Sequence, residues 1–261
     1  MPKDSVSIER ILEKLEKDER IGFDEGLKFL QEARKALGSE RPSALIEATK
    51  ALAARNPSLT TLNVERRHSS QSEKPNKPLV YLELPTEMKL LEVCQCVRTV
   101  AERASVCALW PQQVVRLAAS EKLRVLKAAE KLAESGLRLV EGKLEGGLQD
   151  DAAVDEYFSA VMMLQKYGIK ASVWLPLGAS DEAKVRHLAQ LREFQDRTQA
   201  FTFLFLHGEG KMERRNLLST VALARVMLNN LKMIALSTYS LSQKVEETLL
   251  QECITLGVNQ I

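Results

Sequence analysis

Short apolar runs alternate with amphipathic helical segments from residue 79 onward, and this alternation is the strongest constraint on the fold. The runs recur roughly every 25 to 35 residues, the length of one βα unit. Most are apolar almost throughout, as strands of a parallel sheet covered on both faces must be. The predicted strands are residues 79–84, 104–110, 137–141, 171–177, 200–206 and 233–238, with a remnant at 258–261. The predicted helices between them are 86–102, 111–120, 122–134, 154–167, 181–198, 215–229 and 241–256.

Residues 60–64 (TTLNV) form a further short candidate strand. Including it gives the strand number of a TIM-type (β/α)₈ barrel, and we therefore predict an α/β fold of this type. No helix fits between residues 64 and 79, so the predicted barrel is incomplete or distorted at that point. An open parallel α/β sheet is the alternative, because periodicity alone does not separate the two.

The N-terminal part has helical periodicity instead, over residues 7–20, 23–37 and 42–54. We expect residues 1–58 to form a helical segment packed on the barrel and residues 59–261 to form the barrel-like domain. Residues 65–78 are polar and contain two prolines, which predicts a loop. Ser180, followed by Asp181 and Glu182, predicts a capped helix start.

The composition excludes several classes of protein. Charged residues make up 28% of the chain and the net charge is +2, so there is no basic field for nucleic acid. No run approaches the roughly 20 apolar residues of a membrane span, and the first residues lack the apolar core of a secretory signal. The four cysteines have no paired spacing, which favours reduced thiols. We therefore expect a cytoplasmic protein that contacts neither nucleic acid nor membrane.

Several segments in the same order resemble one enzyme family. Residues 167–173 (YGIKASV), 187–196 (HLAQLREFQD) and 221–230 (VALARVMLNN) carry the closest likeness, and residues 11–14 and 22–27 extend it to the N-terminal helices. They resemble the radical-SAM enzymes of the futalosine route to menaquinone, namely aminofutalosine synthase and dehypoxanthine futalosine cyclase, and the related deazaflavin synthase subunits. The resemblance covers most of the chain and is weakest between residues 56 and 110. It implies a TIM-type barrel with an iron–sulfur cluster and S-adenosylmethionine.

The chain departs from this family at the cluster itself. The family's CxxxCxxC motif follows the first strand, where this chain has residues 65–71 (ERRHSSQ) without a cysteine. Three thiolates at that spacing leave one iron open for S-adenosylmethionine, and no other residue type here replaces them. The family's glycine-rich "PGGGAEI" segment has become residues 141–146 (EGKLEG). We therefore predict no cofactor, because the missing motif argues against radical-SAM chemistry.

Polar and aromatic side chains at the predicted strand ends mark a candidate pocket at the mouth of the barrel, where enzymes of this fold place functional residues. Within this set, a charge at Glu83 would be costly beside a strand unless it is paired. His207 directly follows an apolar strand, although histidines in such loops are common without a role. The candidate residues are Glu83, Trp110, Glu141, Glu145, Trp174, His207 and Glu209.

Other reactive side chains have simpler interpretations. Cys94 and Cys96 are two residues apart on a predicted helix and do not share a face, so they are expected to be packed thiols, as are Cys107 and Cys253. His187 lies beside Arg186 on a helix and is expected to be solvated.

These patterns predict a pseudoenzyme, or a repurposed relative of the futalosine-pathway enzymes, that pairs with an active paralogue and regulates it. Self-association is a second option for a partner. The alternative is a cluster-independent enzyme or binding protein that takes a futalosine-like nucleoside at the barrel mouth. Whether the chain is an enzyme stays open at this point.

Overall fold

The fold is seen in a computed structural model. It describes residues 6–38, 43–55, 79–144, 147–208, 213–231, 233–236, 247–256 and 258. The predicted strand at 60–64 and the predicted loop at 65–78 lie outside these residues. Of the predicted remnant strand at 258–261, only Val258 is described, and it is not in a strand.

The described residues contain ten helices and six strands. The helices are α1 (Ile8–Glu16), α2 (Phe23–Ala36), α3 (Ala44–Arg55), α4 (Leu90–Ala101), α5 (Pro111–Ser120), α6 (Val125–Glu134), α7 (Asp151–Gln165), α8 (Asp181–Thr198), α9 (Arg214–Met227) and α10 (Glu247–Thr255). The strands are β1 (Leu79–Leu82), β2 (Ser105–Ala108), β3 (Leu137–Val140), β4 (Lys170–Pro176), β5 (Phe201–His207) and β6 (Met233–Leu236).

The strands form one sheet in the order β1-β2-β3-β4-β5-β6. The registers of β1 with β2, β2 with β3, β3 with β4 and β5 with β6 are parallel. Between β4 and β5, the hydrogen bonds from the Ala171 N–H to the Ala200 carbonyl (3.0 Å) and from the Leu177 N–H to the His207 carbonyl (2.7 Å) have the same sense. A doubly wound sheet reverses its strand order at a switch point, whereas this order never reverses. The α/β fold is confirmed, and its strand order is consistent with part of a (β/α) barrel.

Local sequence explains several element ends. The Ser180 hydroxyl accepts a hydrogen bond from the Ala183 N–H at 3.2 Å and begins α8, as predicted. Gly136 and Gly168 have φ of +103° and +75°, a conformation that favours glycine, and they follow α6 and α7. Pro111 occupies the first turn of α5, where its missing N–H is not needed.

The described residues pack as two compact units, each with its own buried apolar side chains. The first contains the described residues of Met1–Leu59, Trp174–Arg197 and Phe203–Ile261, and the second those of Thr60–Val173 and Thr198–Thr202. In the first unit α2 and α3 pack against α9. In the second, α4 and α6 cover β2 and β3. None of the helices in the described parts of the chain is long and apolar enough to cross a membrane.

An ion pair fastens α2 to α8 in the first unit. The Arg34 guanidinium donates two hydrogen bonds to the Asp181 carboxylate, at 2.5 and 2.6 Å, and about a quarter of each side chain is exposed. Asp181 is also the first residue of α8, where a negative charge stabilises the helix. This geometry is the bidentate one in which a charged pair contributes measurably to stability.

We expect Arg34→Ala to lower the free energy of unfolding by about 1.5 kcal/mol, because the Asp181 carboxylate loses both of its donors. Chemical denaturation monitored by circular dichroism measures the change. Lys35→Ala is the matched control, since Lys35 is 71% exposed and its ion pair is with Glu32 on its own helix. Equal stability of the two variants would show that the Arg34 pair does not hold the N-terminal helices in place.

Candidate functional site

The structure describes five of the seven predicted pocket residues. Glu83, Trp110 and Glu141 belong to the second unit, and each directly follows the C-terminal end of a strand or lies within two residues of it. Trp174 and His207 belong to the first unit, on β4 and β5. Glu145 and Glu209 lie outside the described residues.

Trp110 forms the best-defined part of the candidate site. It is the N-cap residue of α5, and two cations lie over its indole ring. The Lys143 Nζ is 4.9 Å from the ring centroid and the Arg116 Cζ is 5.9 Å from it. Both distances are within the range of cation–π attraction, which is stronger with tryptophan than with the other aromatic residues. The end of β2, the first turns of α5 and the segment after β3 therefore converge on one indole.

The backbone before Trp110 adopts an unusual conformation. Leu109 has φ of +61°, a region that residues with a side chain rarely enter, although its side chain is 4% exposed and well packed. The Leu109 carbonyl accepts a hydrogen bond of 2.7 Å from the Glu141 N–H, which ties the end of β2 to the end of β3. Such strain persists only where the surroundings impose it, and it concentrates at binding and catalytic sites. The strained turn fixes the direction in which Trp110 leaves the sheet.

Trp110 lines a cleft of about 1040 Å³ in the second unit. Its walls come from the segment between β1 and α4, from α4 itself and from the turn and helix that follow β2. The lining mixes apolar side chains, charges of both signs and hydroxyls, as ligand sites do. The lining residues are Pro85, Thr86, Glu87, Met88, Lys89, Leu91, Val93, Leu109, Trp110, Gln113, Arg116, Leu117, Ser120 and Glu121.

A second group of side chains lies within or directly after the same strands. Tyr81 pairs with Cys107 in the register of β1 and β2, and Glu141 acts electrostatically on both. Burial raises the pKa of the Glu141 carboxyl, Lys143 opposes the rise, and Glu83 adds to it. The folded protein therefore holds the Glu141 proton to a higher pH than an ordinary carboxyl would.

Glu83 requires a correction. The predicted strand 79–84 ends at Leu82, and the Glu83 side chain is exposed. Its charge is solvated, so the high cost of burying an unpaired carboxylate does not apply. Glu83 acts on the site through its negative charge, which raises the pKa of the Glu141 carboxyl.

The pKa shift of Glu141 makes a prediction with a definite sign. The unfolded chain holds the Glu141 proton only below the ordinary pKa of 4.5, whereas the folded chain holds it to higher pH. Between these two pKa values the folded state binds more protons, so this group makes the free energy of unfolding fall as the pH rises. Glu141→Gln should therefore raise the melting temperature at pH 7, and the gain should vanish below pH 4.5.

Glu134→Gln, which replaces an exposed carboxylate on α6, is the control for this substitution. A variant less stable than the wild type at pH 7 would contradict the account.

Aromatic side chains meet on β4 and β5 in the first unit. The Trp174 and His207 rings stack with centroids 4.7 Å apart, and the Phe205 centroid lies 5.9 Å from that of Trp174. All three are partly exposed. The structure thus brings together the two predicted residues Trp174 and His207, as a stacked pair.

His187 is buried, so the expectation that it is solvated was wrong. Only 3% of it is exposed, burial lowers its pKa to about 4, and its Nδ1 has no hydrogen-bond partner among the described residues. The reason lies in the helix period, because Ala183, Leu191 and Phe194 on the same stripe of α8 are buried as well. Arg186, its neighbour in sequence, faces solvent.

The cysteines do not fit the iron–sulfur cluster that the resemblance implies. Cys94 lies on α4, where its thiol donates a hydrogen bond of 3.6 Å to the Lys131 carbonyl. Cys107 lies inside β2. Burial raises the pKa of both thiols, whereas cluster ligands are thiolates. Cys253 is buried on α10, and burial raises its pKa to about 12. The prediction that these three are packed thiols is confirmed, while Cys96 is partly exposed.

Across the described ranges, no three His, Cys, Asp or Glu side chains are grouped so as to hold a metal ion.

Sequence reasoning missed Lys143, Arg116 and the strained Leu109. Leu109 and Arg116 are close to Trp110 in sequence, but their roles depend on backbone conformation and side-chain placement that periodicity does not show. Lys143 reaches Trp110 only because β3 pairs with β2. Compared with known proteins, the chain matches no family model and no curated protein at a significant level of similarity.

Proposed function

We propose that this chain is a repurposed relative of the radical-SAM enzymes of the futalosine pathway, with a TIM-type barrel that retains ligand binding and has lost the cluster. The order of the resembling segments and the unreversed parallel strand order support this proposal. The missing CxxxCxxC motif and the buried, protonated thiols argue for the loss of radical chemistry.

The observation that carries the binding function is the cleft at Trp110. It opens at the C-terminal ends of β1 and β2, the side on which (β/α) barrels bind their ligands. Its volume of about 1040 Å³ is ample for a nucleoside. Trp110 supplies an aromatic surface, and hydroxyls and amides such as Thr86, Gln113 and Ser120 supply hydrogen-bonding groups. We propose a futalosine-like nucleoside as the ligand.

A thermal-shift screen tests the proposed function. The compounds are futalosine, aminofutalosine, adenosine and adenosine 5′-monophosphate, each at several concentrations. A ligand that binds only the folded state raises the melting temperature by mass action, and the rise grows with concentration. We expect a concentration-dependent rise with at least one of these compounds. No rise across the panel up to millimolar concentration would reject nucleoside binding.

A specific observation favours a second function, as partner and regulator of an active paralogue. Leu91, on the rim of the cleft, is 68% exposed, more than any other large apolar side chain in the described ranges. A protein partner seated on this rim would remove the apolar surface of Leu91 from water, which favours association. Mixing the chain with a cluster-bearing futalosine-pathway enzyme in analytical ultracentrifugation tests this function. A complex that is lost in Leu91→Asp would support it, and two independent species for the wild type would reject it.

A further inference from the structure

The Gln113 side chain is a buried amide in the wall of the Trp110 cleft. Gln113 is 7% exposed and lines the cleft one helical turn after Trp110, on the same side of α5. In the parts of the chain that the structure describes, no hydrogen bond joins its amide to another group. Neither amide atom is fully buried, so both are reached from the cleft. Buried amides are normally hydrogen-bonded, and one that lacks a protein partner at the wall of a cleft indicates a ligand.

The preceding residue has different surroundings. Gln112 is 3% exposed and lies outside the lining of the cleft. Its Nε2 lies 3.5 Å from the Ala153 carbonyl oxygen, to which it donates a hydrogen bond between α5 and α7. The amide of Gln112 is therefore used within the protein, whereas that of Gln113 faces the cleft.

The hydroxyl groups of the cleft already donate hydrogen bonds within the protein. The Thr86 hydroxyl donates to the Glu87 Oε1 at 2.9 Å, and the Ser120 hydroxyl donates to the Leu117 carbonyl at 2.9 Å. The Gln113 amide instead has two N–H donors and a carbonyl acceptor, on adjacent atoms. It therefore offers a ligand a donor and an acceptor at one point of the wall.

We infer that Gln113 is a specificity-determining residue of the Trp110 cleft, whose amide forms two hydrogen bonds with a planar ligand edge that carries a donor beside an acceptor. Such edges belong to amides and amidines. A glutamine amide binds an edge of this kind through two parallel hydrogen bonds, as it does with adenine. Because no described residue fixes the amide in one orientation, half a turn about its last bond matches either order of donor and acceptor. This inference rests on the proposed function, since it names the part of the ligand that the same cleft recognises.

Three nucleosides that differ only in this edge test the inference. Adenosine has an amino donor beside a ring nitrogen acceptor, and inosine has a carbonyl acceptor beside a ring N–H. Purine riboside keeps the ring and the sugar but lacks the exocyclic group, so it loses one of the two hydrogen bonds. Adenosine and inosine should each bind at least about fivefold more tightly than purine riboside. Isothermal titration calorimetry on the full chain measures the three affinities.

Two adjacent substitutions locate the effect. Gln113→Met keeps the length of the side chain and removes the amide, so the preference over purine riboside should fall to within about twofold. Its melting temperature should stay at or above that of the wild type, because no hydrogen bond within the protein is lost. Gln112→Met is the matched control, since it makes the same change at the next buried glutamine of α5 and should leave the preference unchanged. A preference that survives in a folded Gln113→Met protein would overturn the inference.

A second pair of probes separates the inference from nucleoside binding. Benzamide has a donor beside an acceptor, whereas acetophenone has a methyl group in place of the amino group. A benzamide preference that Gln113→Met removes, without binding of any nucleoside, would keep the inference and reject the proposed function. Equal binding of the three nucleosides, together with equal binding of benzamide and acetophenone, would overturn the inference and leave nucleoside binding intact. No binding by any probe would reject both.

Discussion

Replacing Trp110 by alanine should weaken nucleoside binding by at least about 10-fold, the largest functional effect that we expect from a single substitution. The indole is the surface on which Lys143 and Arg116 are positioned, so its removal deprives the ligand of a stacking partner and releases both cations. Stacking of one base on one aromatic side chain alone contributes about 1–3 kcal/mol. Isothermal titration calorimetry with futalosine and with adenosine 5′-monophosphate measures the change.

The matched control for this substitution is Tyr167→Ala. Tyr167 is a partly exposed aromatic residue of the same unit, located after α7 and before β4, at the opposite end of the strands from the cleft. Its removal should leave the affinity within about twofold of the wild type. The Trp110 side chain is itself only half-buried, so the variant should fold, and circular dichroism checks this. Unchanged affinity in a folded Trp110→Ala protein would show that the ligand binds elsewhere.

Gly142→Ala should lower the free energy of unfolding by about 3 kcal/mol, the largest structural effect that we expect. A Cβ atom at this position would lie 2.4 Å from the Val173 Cα and 2.5 Å from the Ser172 carbonyl oxygen. Both atoms belong to the backbone of β4, which cannot move aside as a side chain can. The Gly142 N–H also donates a buried hydrogen bond of 2.8 Å to the Ser172 hydroxyl, and any shift of the loop would break it.

Two comparison variants separate the clash from the hydrogen bond. Gly178→Ala is the control for adding a methyl group, because no atom beyond its two chain neighbours lies within 4 Å of the position of its Cβ. It should change stability by less than about 0.5 kcal/mol. Ser172→Ala removes only the acceptor and should cost about 1–2 kcal/mol, because the Gly142 N–H is left buried and unpaired. Denaturation by urea measures all three. A Gly142→Ala protein as stable as Gly178→Ala would mean that the segment after β3 does not pack against β4 as described.

The sequence predicted the helices and strands where local chemistry marks their ends. Pro111 and the cap at Ser180 fixed the starts of α5 and α8, and both helices have the predicted bounds. The predicted strand 200–206 corresponds to β5, which begins and ends one residue later, at Phe201 and His207. Ends without such markers were misplaced. The helix predicted at 86–102 begins at Leu90 in the structure, and the segment from Pro85 to Lys89 before it lines the cleft.

The candidate site was predicted in part. Trp110 and Glu141 were found because each is the last residue of a predicted strand, and any parallel α/β fold places these ends at one edge of the sheet. The contacts that give them a role come from other segments. Lys143 reaches Trp110 only because β3 pairs with β2, and this pairing joins residues distant in sequence. His187 was misjudged because its polarity and its charged neighbour were given more weight than the apolar stripe on which it lies.

The proposal that this chain is a futalosine-pathway relative without radical chemistry is tested most directly by anaerobic reconstitution with iron and sulfide. Iron content and the formation of 5′-deoxyadenosine from S-adenosylmethionine are then measured on the same sample. The missing cysteine triplet and the buried Cys94 and Cys107 thiols predict no stoichiometric iron and no 5′-deoxyadenosine above a protein-free control. A protein that binds a cluster and cleaves S-adenosylmethionine would contradict the account, because these thiols, or those of a second chain, would then have to assemble the site.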